Sequence, residues 1–311
     1  MISTLIVVLP IFALVFVGWL MRRLEVLGAQ TTTELNRFVV YLALPALLFD
    51  IIAHARWSDV WQPGFMAAFG LSSILIFALT VAVRLRQPRH LADAAIDGLN
   101  AGYANTGFIG IPLAFVALGR SAMAPALIAT IITVCVVFGI AIVLIEIGLQ
   151  GEARRGQLLI KVCRTLVRNP LLVGPALGTL VPLAGLHIPA PLETSLKLMG
   201  GAASPCALVA LGLFLGAKRE AEAPIAGATA LLVGMKLFLQ PVVAWALASV
   251  VFGLSPLLTH VAVLMAALPT GTGPFMLAEF YRREADVTSN VILVSTVASV
   301  LTVSGYLAVA G

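Results

Sequence analysis

Apolar residues along this chain come in blocks of about 20, the length of helix that crosses a hydrocarbon core of roughly 30 Å. Barrel strands would show about 10-residue segments of strict alternation, which are absent. The blocks predict ten spans: Ser3–Met21, Glu34–Ala53, Phe65–Val83, Ala95–Leu118, Ala122–Leu149, Leu166–Leu183, Leu192–Ala217, Ile225–Phe252, Leu257–Tyr281 and Val287–Ala310. The expected fold class is therefore all-α integral membrane, with ten transmembrane helices.

Two blocks break in the middle. The fourth holds Asn100–Pro112, where Gly102, Gly107 and Gly110 have poor helix propensity and Pro112 lacks an amide. The ninth holds Pro269–Pro274, Pro-Thr-Gly-Thr-Gly-Pro. Backbone groups freed in hydrocarbon cost several kcal/mol each unless satisfied, so such breaks persist only where buried or lining a cavity. Taken singly, each could be a packing kink; two in equivalent places point to a binding site. The second and seventh blocks also match, with Pro45 and Pro205. Residues 1–149 and 165–311 thus read as five-helix repeats joined by a linker over 150–164. An odd span number inverts the second repeat, and paired discontinuous helices place a carrier's site near the midplane.

Composition and charge narrow the class. The chain is 60% hydrophobic and 11% charged with a mean hydropathy of +1.06, which excludes a soluble domain. Its net charge of +5 is concentrated in short loops rather than in a nucleic-acid-binding surface. After odd spans come Arg22 and Arg23; Arg84, Arg86 and Arg89; Arg154, Arg155, Lys161 and Arg164; Lys218 and Arg219; and Arg282 and Arg283, while even spans are followed by little beyond Arg56 and Arg120. Basic loops mark the cytoplasmic side, which predicts a multi-pass inner (plasma) membrane protein with both termini outside the cytoplasm. The first block reads as an uncleaved span rather than a signal peptide. Cys135, Cys163 and Cys206 are far apart, have no metal-type spacing and read as packing residues. No cofactor, metal or enzyme motif stands out.

The candidate substrate contacts are Asn105, Thr106 and Gly107 in the first break, with Pro269, Thr270, Gly271 and Thr272 in the second. The half-helices resuming after the breaks would turn their amide-rich, positive ends toward the crossing. Neither break holds a carboxylate, so a small anion or neutral polar substrate fits better than a cation. Lys236, deep in the eighth block with Gln240 one turn on, could pair with a carboxylate, replace a coupling cation, attract an anion, or simply reach a wet cavity. Asp50, beside His54, and Asp97 lie near span ends, as proton carriers or interface residues; Glu146 and Glu279 are expected solvated or paired at inner ends. Three Gly-xxx-Gly pairs, 98/102, 174/178 and 212/216, suggest close internal helix contacts.

Asn105-Thr-Gly-Phe-Ile-Gly-Ile-Pro-Leu113 and the run Ala267–Tyr281 resemble the auxin efflux carrier family, which includes plant auxin exporters and bacterial malate or malonate permeases. Leu44–Phe49 and Met235–Pro241 extend the resemblance to the second and eighth spans. It implies ten spans in two inverted repeats, as in sodium/proton antiporters and bile-acid symporters, divided into a scaffold and a transport domain that moves as an elevator. It also implies a homodimer in the lipid bilayer and a substrate held where the fourth and ninth spans cross. Asn105 matches the family's crossover asparagine and Pro269 its counterpart proline, whereas Thr270 stands where plant members often have glutamine. The short linker after Gln150 is similar to prokaryotic members. The expected function is secondary active transport of a small organic anion, an auxin-like carboxylate or a dicarboxylate. A sodium-coupled symporter resembling bile-acid carriers, and a membrane receptor or enzyme that does not translocate its ligand, are the rivals.

Overall fold

The computed structural model describes residues 2–28, 30–54, 61–149, 169–217 and 225–310, and each regular element among them is a helix. The linker over 150–164, with Arg154, Arg155, Lys161, Cys163 and Arg164, lies outside the described residues, as do Arg56, Lys218, Arg219 and the expected start of the sixth span. In chain order the helices are α1 (Ile2–Arg23), α2 (Thr31–Ala53), α3 (Pro63–Arg84), α4a (Leu91–Gly102), α4b (Thr106–Leu118), α5 (Arg120–Leu149), α6 (Pro170–Leu183) and α7 (Ala190–Gly216). They continue with α8 (Ala226–Val251), α9a (Pro256–Ala267), α9b (Gly273–Tyr281) and α10 (Ala285–Ala310). Six of them, α2, α3, α5, α7, α8 and α10, are long and apolar enough to cross a membrane.

Prolines shape these helices without ending them. Widened π turns at Val39–Ala43, Thr106–Gly110 and Met235–Leu239 each stop two residues short of a proline, Pro45, Pro112 and Pro241. A proline ring clashes with the carbonyl four residues back and offers it no N–H, and the extra residue in the turn relieves both problems.

Glycines set the closest helix contacts. On α7, Gly212 lies against the Val15 carbonyl of α1, and Gly18 of α1 lies against the Val209 backbone of α7. On α6, Gly174 meets Pro45 and Gly178 meets Phe49 of α2, while Gly98 and Gly102 of α4a face Phe77 of α3. All three Gly-xxx-Gly pairs are thus internal contacts. The principal partner of α1 is α7, and that of α6 is α2. These four helices form one group; α3, α4a, α4b, α5, α8, α9a, α9b and α10 form a second, whose core includes Phe65, Phe69, Phe138 and Phe275. Phe238, Val242 and Trp245 on the outer face of α8 are exposed, as a lipid-facing surface requires.

A side chain at the α1–α7 contact has no room. Gly212→Leu should lower stability by about 1–3 kcal/mol or more, read as a reduced thermal midpoint in detergent. Gly201→Ala, where nothing lies within 4 Å of the added carbon, should leave the midpoint unchanged.

Candidate functional site

The chain leaves helical geometry at Tyr103 (φ −98°, ψ 97°) after α4a and at Leu268 (φ −62°, ψ 153°) after α9a. The two extended segments then run antiparallel past each other. The Asn105 N–H donates to the Pro269 carbonyl at 2.9 Å and the Gly271 N–H to the Tyr103 carbonyl at 3.1 Å, forming a single bridge between Ala104 and Thr270. Each break thereby satisfies backbone groups that the other exposes. Pro269 contributes only its carbonyl, so its missing N–H is no loss. Beyond the bridge, the Asn105 carbonyl accepts from Ile109 (3.3 Å) and Gly110 (3.1 Å) and opens α4b.

A cavity of about 280 Å³ lies beside the bridge, near the lower end of the range for small-ligand pockets. Asn105, Thr106, Gly107, Gly271 and Thr272 line its polar end, together with Tyr103 and Gly273. Leu44, Leu47, Leu48 and Ile51 of α2, with Leu127, Val134 and Phe138 of α5, form its apolar walls. No charged side chain lines it. Both half-helix starts, Thr106 of α4b and Gly273 of α9b, open onto it, so unpaired first-turn amides supply its positive character. The Thr106 hydroxyl is buried without a hydrogen-bond partner, whereas Thr130 on the opposite wall donates its hydrogen to the Ala126 carbonyl.

Pro269 and Thr270 do not line the cavity. Thr270 is fully buried: its N–H donates to Ser295 Oγ at 3.1 Å, and its hydroxyl donates to the Asn100 carbonyl at 2.7 Å, near the end of α4a. Its role in the structure is to cap the neighbouring half-helix.

Lys236 is also fully buried and lies outside the cavity. Its Nζ donates to Gln240 Oε1 and to the Ala266 carbonyl, both at 2.6 Å. Gln240 Nε2 in turn donates to Ser73 Oγ (3.2 Å) and to the Gly102 carbonyl (3.4 Å). Ala266 and Gly102 lie at the C-terminal ends of α9a and α4a, so one i, i+4 pair on α8 caps both half-helices at their negative ends. No carboxylate pairs with Lys236 among the described residues.

The two candidate carboxylates lie elsewhere. Asp97 is buried where α4a meets α3 and accepts from Arg84 Nε (2.7 Å) and Arg89 Nη1 (3.3 Å). The same cluster joins Arg89 to Glu284 and Arg283 to Asp93, whose hydrogen bond raises the pKa of the Arg283 guanidinium. Asp50 sits 3.0 Å from His54 Nδ1, and His54 Nε2 reaches Glu193 of α7 at 3.4 Å. Glu146, expected solvated or paired at an inner end, is buried and accepts from the Tyr281 hydroxyl at 2.7 Å. Tyr103, which had no sequence signal beyond its place inside the break, lies on the cavity wall.

Residues 3–307 match the model of a family described as Membrane transport protein. A protein of Rhizobium meliloti (strain 1021) named "Putative malonate transporter" is 30% identical over 301 residues, 96% of this chain and 93% of that protein. An "Uncharacterized transporter" of Methanothermobacter thermautotrophicus is 28% identical over 297 residues, covering 94% of each chain. "Auxin efflux carrier component 3a" of Oryza sativa subsp. japonica is 33% identical over 141 residues, 44% of this chain and 22% of that protein.

Removal of the Thr270 hydroxyl should affect stability more than ligand binding. Thr270→Val leaves the Asn100 carbonyl without its donor and should cost about 1–3 kcal/mol in thermal unfolding. Half-saturation for substrate should change by less than about 3-fold, because the lost bond is made to Asn100 behind the cavity and not to the ligand.

Proposed function

The chain belongs to the auxin efflux carrier family of membrane transport proteins, and from that membership we propose that it is a secondary active carrier of a small organic anion, a carboxylate held at the crossing of the two broken helices. The observation that carries this reading is the cavity itself: two half-helix N-termini and the neutral groups of Asn105, Thr106 and Thr272 face a space with no charged wall. Such a site offers an anion a positive field and donors without a fixed counter-charge. Gly107 and Gly271 keep the backbone open to the ligand, while Pro269 and Thr270 shape the site from behind. Asp50 and Asp97, engaged away from the cavity, tie helix ends together.

The negative ends of α4a and α9a, where a sodium ion would sit in a sodium-coupled carrier, are already engaged by Gln240 and Lys236. In our reading Lys236 supplies the positive group there permanently, and this favours an organic-anion carrier over a sodium symporter. The polar end takes one carboxylate, and the rest of the substrate lies against α2 and α5. The name of the Rhizobium relative favours a dicarboxylate instead, whose second charge would meet the apolar wall at a large desolvation cost.

For the architecture we propose ten spans in two inverted five-helix repeats, over 1–149 and 165–311, with 150–164 as a cytoplasmic linker and both termini outside the cytoplasm. The exchanged pairing of α1 with α7 and of α6 with α2 supports the repeat, since each pair becomes the other on shifting by five helices. The cavity lies between α2 of one helix group and the crossing in the other, which supports an elevator in which the second group moves against the first. A homodimer in the plasma membrane completes the proposal.

Asn105→Ala should abolish substrate flux in proteoliposomes while expression and the thermal midpoint stay near wild type; full flux would remove the site. Lys236→Met should cripple transport equally with and without sodium, and unchanged kinetics would make the lysine a bystander. A carboxylate at about 100 times its dissociation constant should stabilise the purified protein by about 2.7 kcal/mol, with neutral analogues giving no such gain.

A further inference from the structure

We propose that Tyr103 is a substrate contact whose hydroxyl donates a hydrogen bond to the carboxylate at the start of α9b, an assignment that rests on the anion-carrier reading above. Its backbone is fixed by the bridge, where its carbonyl accepts from the Gly271 N–H at 3.1 Å. From there the ring lies along the glycines of the opposite break. A β-carbon on Gly271 would come within 2.8 Å of Tyr103 Cε1, and one on Gly273 within 2.6 Å of Cζ and 2.8 Å of the hydroxyl oxygen. Phe138 supports the ring from α5, with centroids 5.6 Å apart and planes tilted by 53°.

These contacts fix where the hydroxyl sits. It lies beside Gly273, the first residue of α9b, where the helix has unpaired amides and Pro274 has none to offer. The residue is 8% exposed and lines the cavity, and its hydroxyl has no hydrogen-bond partner among the described residues. Buried phenols ordinarily find such a partner. The Thr106 hydroxyl, also buried and unpartnered, lines the same cavity from the start of α4b. Two hydroxyls free to donate therefore stand at the two positive helix ends, as a carboxylate with two oxygens requires. Gly271 and Gly273 acquire a specific reason as well, since any side chain at either would displace the ring.

Tyr103→Phe removes one oxygen and keeps the ring, so it separates a donor from a packing wedge. The dissociation constants of wild type and Y103F are to be measured for malonate and phenylacetate and for their neutral counterparts malonamide and phenylacetamide. For whichever acid the wild type prefers to its amide, Y103F should bind at least about 10-fold more weakly, the effect of losing a hydrogen bond to a charged group. Binding of the amide should change by about 5-fold or less, as expected for the loss of about 1 kcal/mol at a neutral acceptor. Unchanged acid affinity in Y103F overturns the assignment of Tyr103 alone, as does an equal loss for acid and amide. A wild-type protein with no preference for either acid overturns the anion reading itself, and Tyr103 with it.

Discussion

Two peptide hydrogen bonds, from Asn105 to Pro269 and from Gly271 to Tyr103, allow this chain to interrupt two helices where the paired residues of both breaks are buried. An interrupted helix in hydrocarbon exposes donors and acceptors at several kcal/mol each, a cost that a small apolar protein cannot carry unaided. Here the breaks complete each other, in the one piece of extended pairing among the described residues. The placement of everything else at the crossing follows. Because the strands are antiparallel, two N-terminal helix ends fall around the cavity, while the C-terminal ends of α4a and α9a turn toward α8.

That division sorts the electrostatics without a single charged cavity residue. The C-terminal carbonyls of the half-helices are met by Lys236, Gln240 and the Thr270 hydroxyl. With the negative ends capped by the protein, the field remaining at the cavity comes from the opposite helix ends and is positive. The cap is also mechanical: Lys236 and Gln240 on one helix grip α9a and α4a together, so the two breaks keep their register with α8.

Much of this was legible in the chain. Blocks of apolar residues gave the membrane class, and glycine and proline marked both breaks, because low helix propensity and a missing amide act locally. The prolines of α2, α4b and α8 were visible too, although the π turns ahead of them depend on how each helix accommodates its ring. Side-chain direction was not legible. Thr270 and Thr272 look alike in sequence, yet one caps Asn100 and the other lines the cavity, a difference set by strand register across the bridge. Gln240, one turn from Lys236, was in view, but the lysine's second partner is a main-chain carbonyl thirty residues away, which no pattern of charged residues reveals. Tyr103 escaped for the same reason, since its neighbours are glycines of a distant segment.

The exchanged pairing of α1 with α7 and α6 with α2 bears on how the chain is made. Helices synthesised first enter the membrane before their principal partners exist, and the faces of α1 and α2 that the glycines of α7 and α6 will cover wait until the second half has been threaded. The bridge closes later still, joining residues 104 and 270 after almost the whole chain has been produced. Neither half can therefore mature as an independent unit, and a ribosome that stalls between them leaves a product with unmatched faces in the bilayer, a natural substrate for membrane quality control.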